Sequence, residues 1–208
     1  MSDPITHETA GEAQTVALGA RIAKGLRAGD VVALRGELGA GKTRFVRGLA
    51  RGLGHDPAMV SSPTFTLVHE YDTPGQIPLI HVDAYRLSSL DDPATIGLDR
   101  AFDGTTIVVI EWPERLGSIL PAERFEVLIE HEAPERRRIT VTAPVGRTID
   151  LGPAPALLCR ICQQPTSPDD PAFPFCSSRC RLVDLGKWMG GEYRVTRNLK
   201  DSDLETND

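Results

Sequence analysis

The sequence predicts an α/β fold, a sheet with helical cover followed by a small metal-held module, and three observations carry the prediction. Residues 31–35, VVALR, form a short β-branched run, followed by the glycine-rich GELGAGKT and then a stretch of helical periodicity. Five further apolar runs are separated by stretches that open with Ser, Asp or Pro, the pattern of strands alternating with short helices. All four cysteines fall between residues 159 and 180.

The elements follow in order. Val16, Leu18, Ala20, Ile22, Ala23 and Leu26 recur at broadly helical spacing over 12–27, and Ala28-Gly29-Asp30 turns the chain into the strand 31–35. Phe45, Val46, Leu49 and Leu53 mark a second helix, closed by Gly54. Strands are expected at 65–71, 78–85, 105–112, 125–131 and 137–143, with short helices at 88–102 and 113–120. Residues 144–156, rich in Pro and Gly, read as linker. The expected domains are an α/β domain at 1–146, a linker at 147–157, a cysteine module at 158–197 and a disordered acidic tail at 198–208.

With 40% hydrophobic and 25% charged residues, the composition is that of a globular protein. No apolar run approaches the roughly 20 residues that span a bilayer, and the polar, acidic N-terminus is unlike a signal peptide, so a cytoplasmic protein is expected. A net charge of -6 disfavours nonspecific nucleic-acid binding, which needs many cations facing phosphates. Any polynucleotide contact is therefore expected to be local or partner-assisted.

Residues 36–43 carry two glycines with four residues between them, followed by Lys and Thr, the pattern of a P-loop NTPase-like sheet. Gly36, Gly39 and Gly41 allow the tight turns that aim the N–H groups of Gly36, Glu37, Leu38, Gly39, Ala40 and Gly41 at phosphate oxygens, while the following helix offers its positive end. Lys42 supplies a mobile cation, and Thr43 a hydroxyl for Mg²⁺, a cation that takes hard oxygen ligands. ATP with Mg²⁺ is the expected ligand. Such a site also needs carboxylates from neighbouring strand ends, and Asp83 and Glu111 stand where apolar runs give way to polar positions. A solvated cap, or an ion pair such as Asp83 with Arg86, accounts for the same positions. His81 shares a strand face with Asp83 and reads equally as an ordinary hydrogen-bonded histidine, while Trp112 reads equally as pocket wall and as core.

The ordered motifs GELGAGKT, SSPTFTLVHEY (61–71), HVDAYRL (81–87) and IEWPERL (110–116) resemble the TsaE family, ATPases of bacterial tRNA threonylcarbamoyladenosine synthesis, over about residues 5–145. The resemblance implies Thr43 and Glu111 as magnesium ligands, Lys42 on the phosphates, Asp83 in hydrolysis, and Trp112 and Thr9 near the nucleotide. It also implies that Ser62, Pro63 and Thr64 form a nucleotide-sensitive switch, and that hydrolysis depends on the TsaB and TsaD proteins. Arg44 stands where the family often has a second Thr, which is expected to alter outer contacts only.

Cys159 and Cys162 are two residues apart, Cys176 and Cys180 three, with thirteen between the pairs, the spacing of a zinc ribbon or knuckle. Four thiolates close the coordination shell of Zn²⁺, so the site reads as structural rather than catalytic; disulfides or free thiols are the competing reading. CRICQQP, FPFCSSRCRLVDLGKW and GEYRV resemble the YacG family, small zinc proteins known as DNA gyrase inhibitors, over about residues 159–195. Leu182, Leu185, Trp188 and Tyr193 read either as a contact surface or as the module's small core. The expectation for the whole chain is a partner-activated ATPase supporting tRNA modification, with a zinc module for protein interaction. The alternatives are a nucleotide-gated binding protein and a gyrase regulator with slow, incidental ATPase.

Overall fold

The computed structural model describes residues 1–87, 101–149, 157–167 and 170–190. The chain divides into two compact units, Met1–Pro155 and Ala156–Asp208.

The first unit is built on a seven-stranded sheet. Its strands are β1 (Ile5–Ala10), β2 (Val31–Arg35), β3 (Val68–Tyr71), β4 (Leu79–Asp83), β5 (Ile107–Glu111), β6 (Phe125–Ala133) and β7 (Arg136–Thr142), in the order β1-β7-β6-β2-β5-β4-β3. β2 lies parallel to both β5 and β6, and β4 parallel to β5, whereas β1, β3 and β7 pair antiparallel with their neighbours. All five residues of β4 and of β5 are buried, so both faces of these strands are covered and their sequences read as continuous apolar runs.

One face packs Val32, Leu34, Ile107 and Val109 against the helices α1 (Glu12–Ala23) and α2 (Lys42–Leu53), through Leu18, Ile22, Phe45 and Leu49. The other face sets Val31, Ile80, Val82, Val108 and Ile110 against Leu87, Ala101 and Leu116. The two helices meet through glycines. A Cβ at Gly48 would stand 2.3 Å from the Val16 carbonyl oxygen, and one at Gly19 would stand 2.5 Å from that of Phe45. This close approach draws the two helices together on one face of the sheet.

The sheet departs from the sequence expectation in instructive places. β1 was not expected, because an edge strand with half its positions exposed lacks an apolar run. Its backbone pairs with β7 alone, from Ile5 opposite Val141 to Ala10 opposite Arg136. The strand expected from residue 65 starts at Val68, since Leu67 has φ 67°, a left-handed conformation that breaks a strand. Residues 113–120 form two short 3₁₀ turns, Pro113–Arg115 and Gly117–Ile119, in place of one helix. The helix expected at 88–102 lies largely outside the described residues. Arg147 donates to both carboxylate oxygens of Asp30 and to the Gly25 carbonyl, and Ile149 is buried, so the chain stays packed on the first unit within the stretch read as linker.

The second unit contains the short hairpin β8 (Leu157–Leu158) and β9 (Pro165–Thr166) and the helix α3 (Ser178–Met189). Ser177 caps α3 by accepting from the Cys180 N–H. The acidic tail and Tyr193 lie outside the described residues. Among those described, no helix is long and apolar enough to cross a membrane.

Candidate functional site

Because β2, β4 and β5 run parallel, their carboxyl ends reach the same edge of the sheet, and the functional side chains gather there. The loop after β2 enters α2 through Gly41, whose φ of 107° places it in the left-handed region. Gly39 and Gly41 face open space, where an added Cβ would meet nothing within 4 Å, whereas a Cβ added at Gly36 would stand 2.5 Å from the Ile129 carbonyl oxygen. The loop is thus anchored at its base and open at its tip. α2 has no side-chain cap and no acid in its first turn, unlike α1, which carries Glu12 there. Its positive end is left for an external anion.

A cleft of about 400 Å³ opens on this loop, lined by Gly39, Lys42, Thr43, Ser62, Asp83 and Trp112 among others. The Lys42 ammonium donates to the carbonyls of Gly36 (2.8 Å) and Glu37 (3.0 Å) and lies 4.0 Å from the centre of the Trp112 ring. Burial lowers the Lys42 pKa below the ordinary lysine value, and the carboxylates of Glu111, Asp83 and Glu114 act in the opposite sense. Trp112 lines this cleft and packs against Tyr85 at 5.1 Å between ring centres, so it is a wall of the pocket.

Asp83 and Glu111 are register partners on β4 and β5. Both are buried, at 3% exposure, which excludes the solvated-cap reading. Thr43 donates to Glu111 Oε1 at 3.1 Å, and His81 Nε2 reaches the same oxygen at 3.0 Å. Asp83 Oδ2 accepts from Ser62 (3.1 Å) and Thr64 (2.6 Å), and its Oδ1 accepts from the Tyr85 N–H (3.0 Å). The ion pair with Arg86 considered from sequence is replaced by these hydroxyl contacts, while Arg86 lies over the Phe65 ring.

Thr43, Asp83 and Glu111 are thus brought together around a cavity open to solvent, with a hydroxyl and two carboxylates to offer a hard cation. This donor set fits Mg²⁺. Leu38 is exposed at the loop's tip, and Ala40 is buried beneath it. Thr9 stands apart: it is buried on β1, bonded to the Thr15 hydroxyl at 3.0 Å, and is not among the residues lining the cleft. Sequence reasoning missed Arg137, which donates to the Ala40 carbonyl at 3.0 Å and to the carbonyls of Ala133 and Pro134, bracing the loop from β7. In the sequence it is one of three consecutive arginines, with nothing to single it out.

In the second unit the sulfurs of Cys159, Cys162, Cys176 and Cys180 all lie within 4.8 Å of one another. Three of the separations are 3.3, 3.6 and 3.8 Å. Zn–S bonds of about 2.3 Å in a tetrahedron place sulfurs about 3.8 Å apart, so the cluster fits Zn²⁺, and the four cysteines are unpaired by disulfides. At Cys159 burial raises the thiol pKa, but the N–H groups of Cys162, Cys176 and Ile161 outweigh it and draw it down to about 6. α3 leaves Leu182, Leu185 and Trp188 exposed, at 66%, 55% and 60%, which favours a contact surface over a small core.

Comparison with known proteins finds a family match for each part of the chain. The family model of the threonylcarbamoyl adenosine biosynthesis protein TsaE matches residues 9–139, and that of the DNA gyrase inhibitor YacG matches residues 157–206. The tRNA threonylcarbamoyladenosine biosynthesis protein TsaE of Bacillus subtilis is 40% identical over 138 residues, covering 66% of this chain and 84% of the relative. Its namesake from Streptomyces coelicolor is 46% identical over 131 residues, covering 60% and 87%. The crystal structure of Bacillus subtilis YdiB superposes with a TM-score of 0.57 at 35% identity, covering 69% of this chain and 88% of that one. The chain therefore belongs to the TsaE family and carries a YacG-like module at its C-terminus.

Proposed function

We propose that the chain binds Mg·ATP in the 36–43 loop and hydrolyses it in support of threonylcarbamoyladenosine formation in tRNA, acting through the TsaB and TsaD proteins. The observation that carries this reading is the convergence of Thr43, Glu111 and Asp83 at the mouth of the glycine-rich loop. The loop amides and Lys42 hold the phosphates, which requires Lys42 to leave the Gly36 and Glu37 carbonyls. Thr43 and Glu111 hold magnesium, which neutralises charge on the transferred phosphoryl group. Asp83 orients the attacking water and accepts its proton. Ser62 and Thr64 bond to that same carboxylate, so a movement of the 61–67 segment alters the setting of Asp83, giving partner proteins a route to control turnover.

ATP hydrolysis by the purified chain, with and without TsaB and TsaD, tests the reading. Stimulation in the wild type and its loss in Asp83→Ala, with binding retained, is expected; equal turnover in the two proteins overturns the role of Asp83.

Zn²⁺ closes the four-thiolate site and holds the second unit together. The exposed face of α3 supports protein docking as that unit's role, with DNA gyrase as the candidate partner. Inhibition of gyrase supercoiling that disappears in Cys176→Ser supports that role, and supercoiling unaffected by the zinc-loaded chain removes gyrase.

A further inference from the structure

His81 is an unusual residue to find inside this sheet. It lies in the middle of β4, opposite Val109 of β5, with 0% exposure, and is not among the residues lining the cleft. Among the described residues its Nδ1 has no hydrogen-bond partner. A buried polar atom left unpaired is destabilising, and an aliphatic side chain at this position would avoid that cost. Packing alone therefore does not account for a histidine here.

Its other nitrogen explains the choice. Nε2 lies 3.0 Å from Glu111 Oε1, and a carboxylate oxygen can only accept, so the proton sits on Nε2. Glu111 is itself buried and has two side-chain donors among the described residues, Thr43 and His81, both on Oε1. Oε2 makes no described hydrogen bond. Thr43 is at the cleft and belongs to the proposed magnesium site, whereas His81 is enclosed in the core and keeps its donor whatever enters the cleft. A carboxylate carried on several rotatable bonds and held from the core side has less freedom to lose when a cation arrives.

We infer that His81 is a positioning residue for Glu111: its Nε2–H pins Oε1 from within the sheet and leaves the carboxylate oriented to take magnesium with the bound nucleotide. The inference rests on the Mg·ATP reading above. Removing an outer-shell donor of this kind weakens metal affinity by about 10–100-fold. Among the described residues, no hydrogen bond joins His81 to the glycine-rich loop or to Lys42, so nucleotide binding without metal is expected to be unchanged.

The test uses the fluorescence of Trp112 in the cleft to follow ATP binding by the full chain, as a Mg²⁺ titration and separately in excess EDTA. His81→Leu fills the space without a donor, and His81→Gln returns an N–H to the position of Nε2. His81→Leu is expected to need at least about 10-fold more Mg²⁺ for half-maximal tightening, with unchanged affinity in EDTA, and His81→Gln to recover most of the difference. Should His81→Leu fail to fold, His81→Asn, one methylene short of Gln, carries the same comparison. Coincident Mg²⁺ curves, equal loss in EDTA, or a Gln variant as impaired as the donor-free one overturns the inference. A wild-type curve indifferent to Mg²⁺ overturns the Mg·ATP reading, and the inference with it.

Discussion

The two units hold themselves together by opposite means. The first buries its sheet on both faces, with Phe45, Leu34, Ile107, Ile110 and Phe125 almost wholly withdrawn from water. In the second, Leu182, Leu185, Trp188 and Met189 are all more than half exposed, and Cys159 and Ala172 are the buried apolar residues among those described. A segment with so little core cannot offset its chain entropy by burial, so a bound ion must supply what packing does not. The apolar side chains this frees from the core remain on the surface of α3, the face proposed above for docking. The first unit shows the converse: its core is complete, and its polar residues gather at one end of the sheet as a site.

The comparison breaks most visibly at the metal. Removing zinc with a chelator withdraws a binding free energy on the order of 10 kcal/mol and is expected to unfold α3 while ATP affinity stays unchanged, and Cys162→Ser, which removes one of four ligands, is expected to act in the same direction. Zinc content and limited proteolysis check the first half, and calorimetric titration the second. Next in size is Lys42→Ala, which removes the cation at the phosphate loop and is expected to weaken ATP binding by about 100-fold, leaving one bound zinc per chain. The smallest effect sharpens the role of packing. Gly48→Ala places a Cβ against the Val16 carbonyl, and overpacking of about 1–3 kcal/mol outweighs the gain in helix propensity. Net of a propensity gain of about 1 kcal/mol, the melting temperature of the first unit falls by up to about 8 °C, while the zinc-dependent unit is unaffected.

What the sequence made legible follows the same physics. β2, β4 and β5 are buried on both faces, so their apolar runs stand out, and the glycines of the 36–43 loop are fixed by backbone geometry that few sequences imitate. β1 was invisible because an edge strand's stability comes from backbone pairing with β7 rather than from an apolar pattern. Asp83 and Glu111 could be picked out as acids ending apolar runs, but their pairing required the register of β4 against β5, which sequence spacing does not contain. The same register carries His81 to Glu111, and Arg137 reaches Ala40 across 97 positions of chain. Such contacts depend on tertiary structure and leave no local signature. In the second unit the cysteine spacing stood for the fold because the metal site is most of the fold.

The two tryptophans fall one in each unit, Trp112 in the cleft and Trp188 on α3, so their indole N–H signals in a ¹⁵N-correlated NMR spectrum report on the two units separately. Mg·ATP is expected to move the Trp112 signal and leave Trp188 in place, while a zinc chelator sends Trp188 to the position of an unfolded chain and leaves Trp112 untouched. A Trp112 signal indifferent to Mg·ATP, or a chelator that displaces both, contradicts an account in which a self-supporting nucleotide site and a metal-held docking module share one chain.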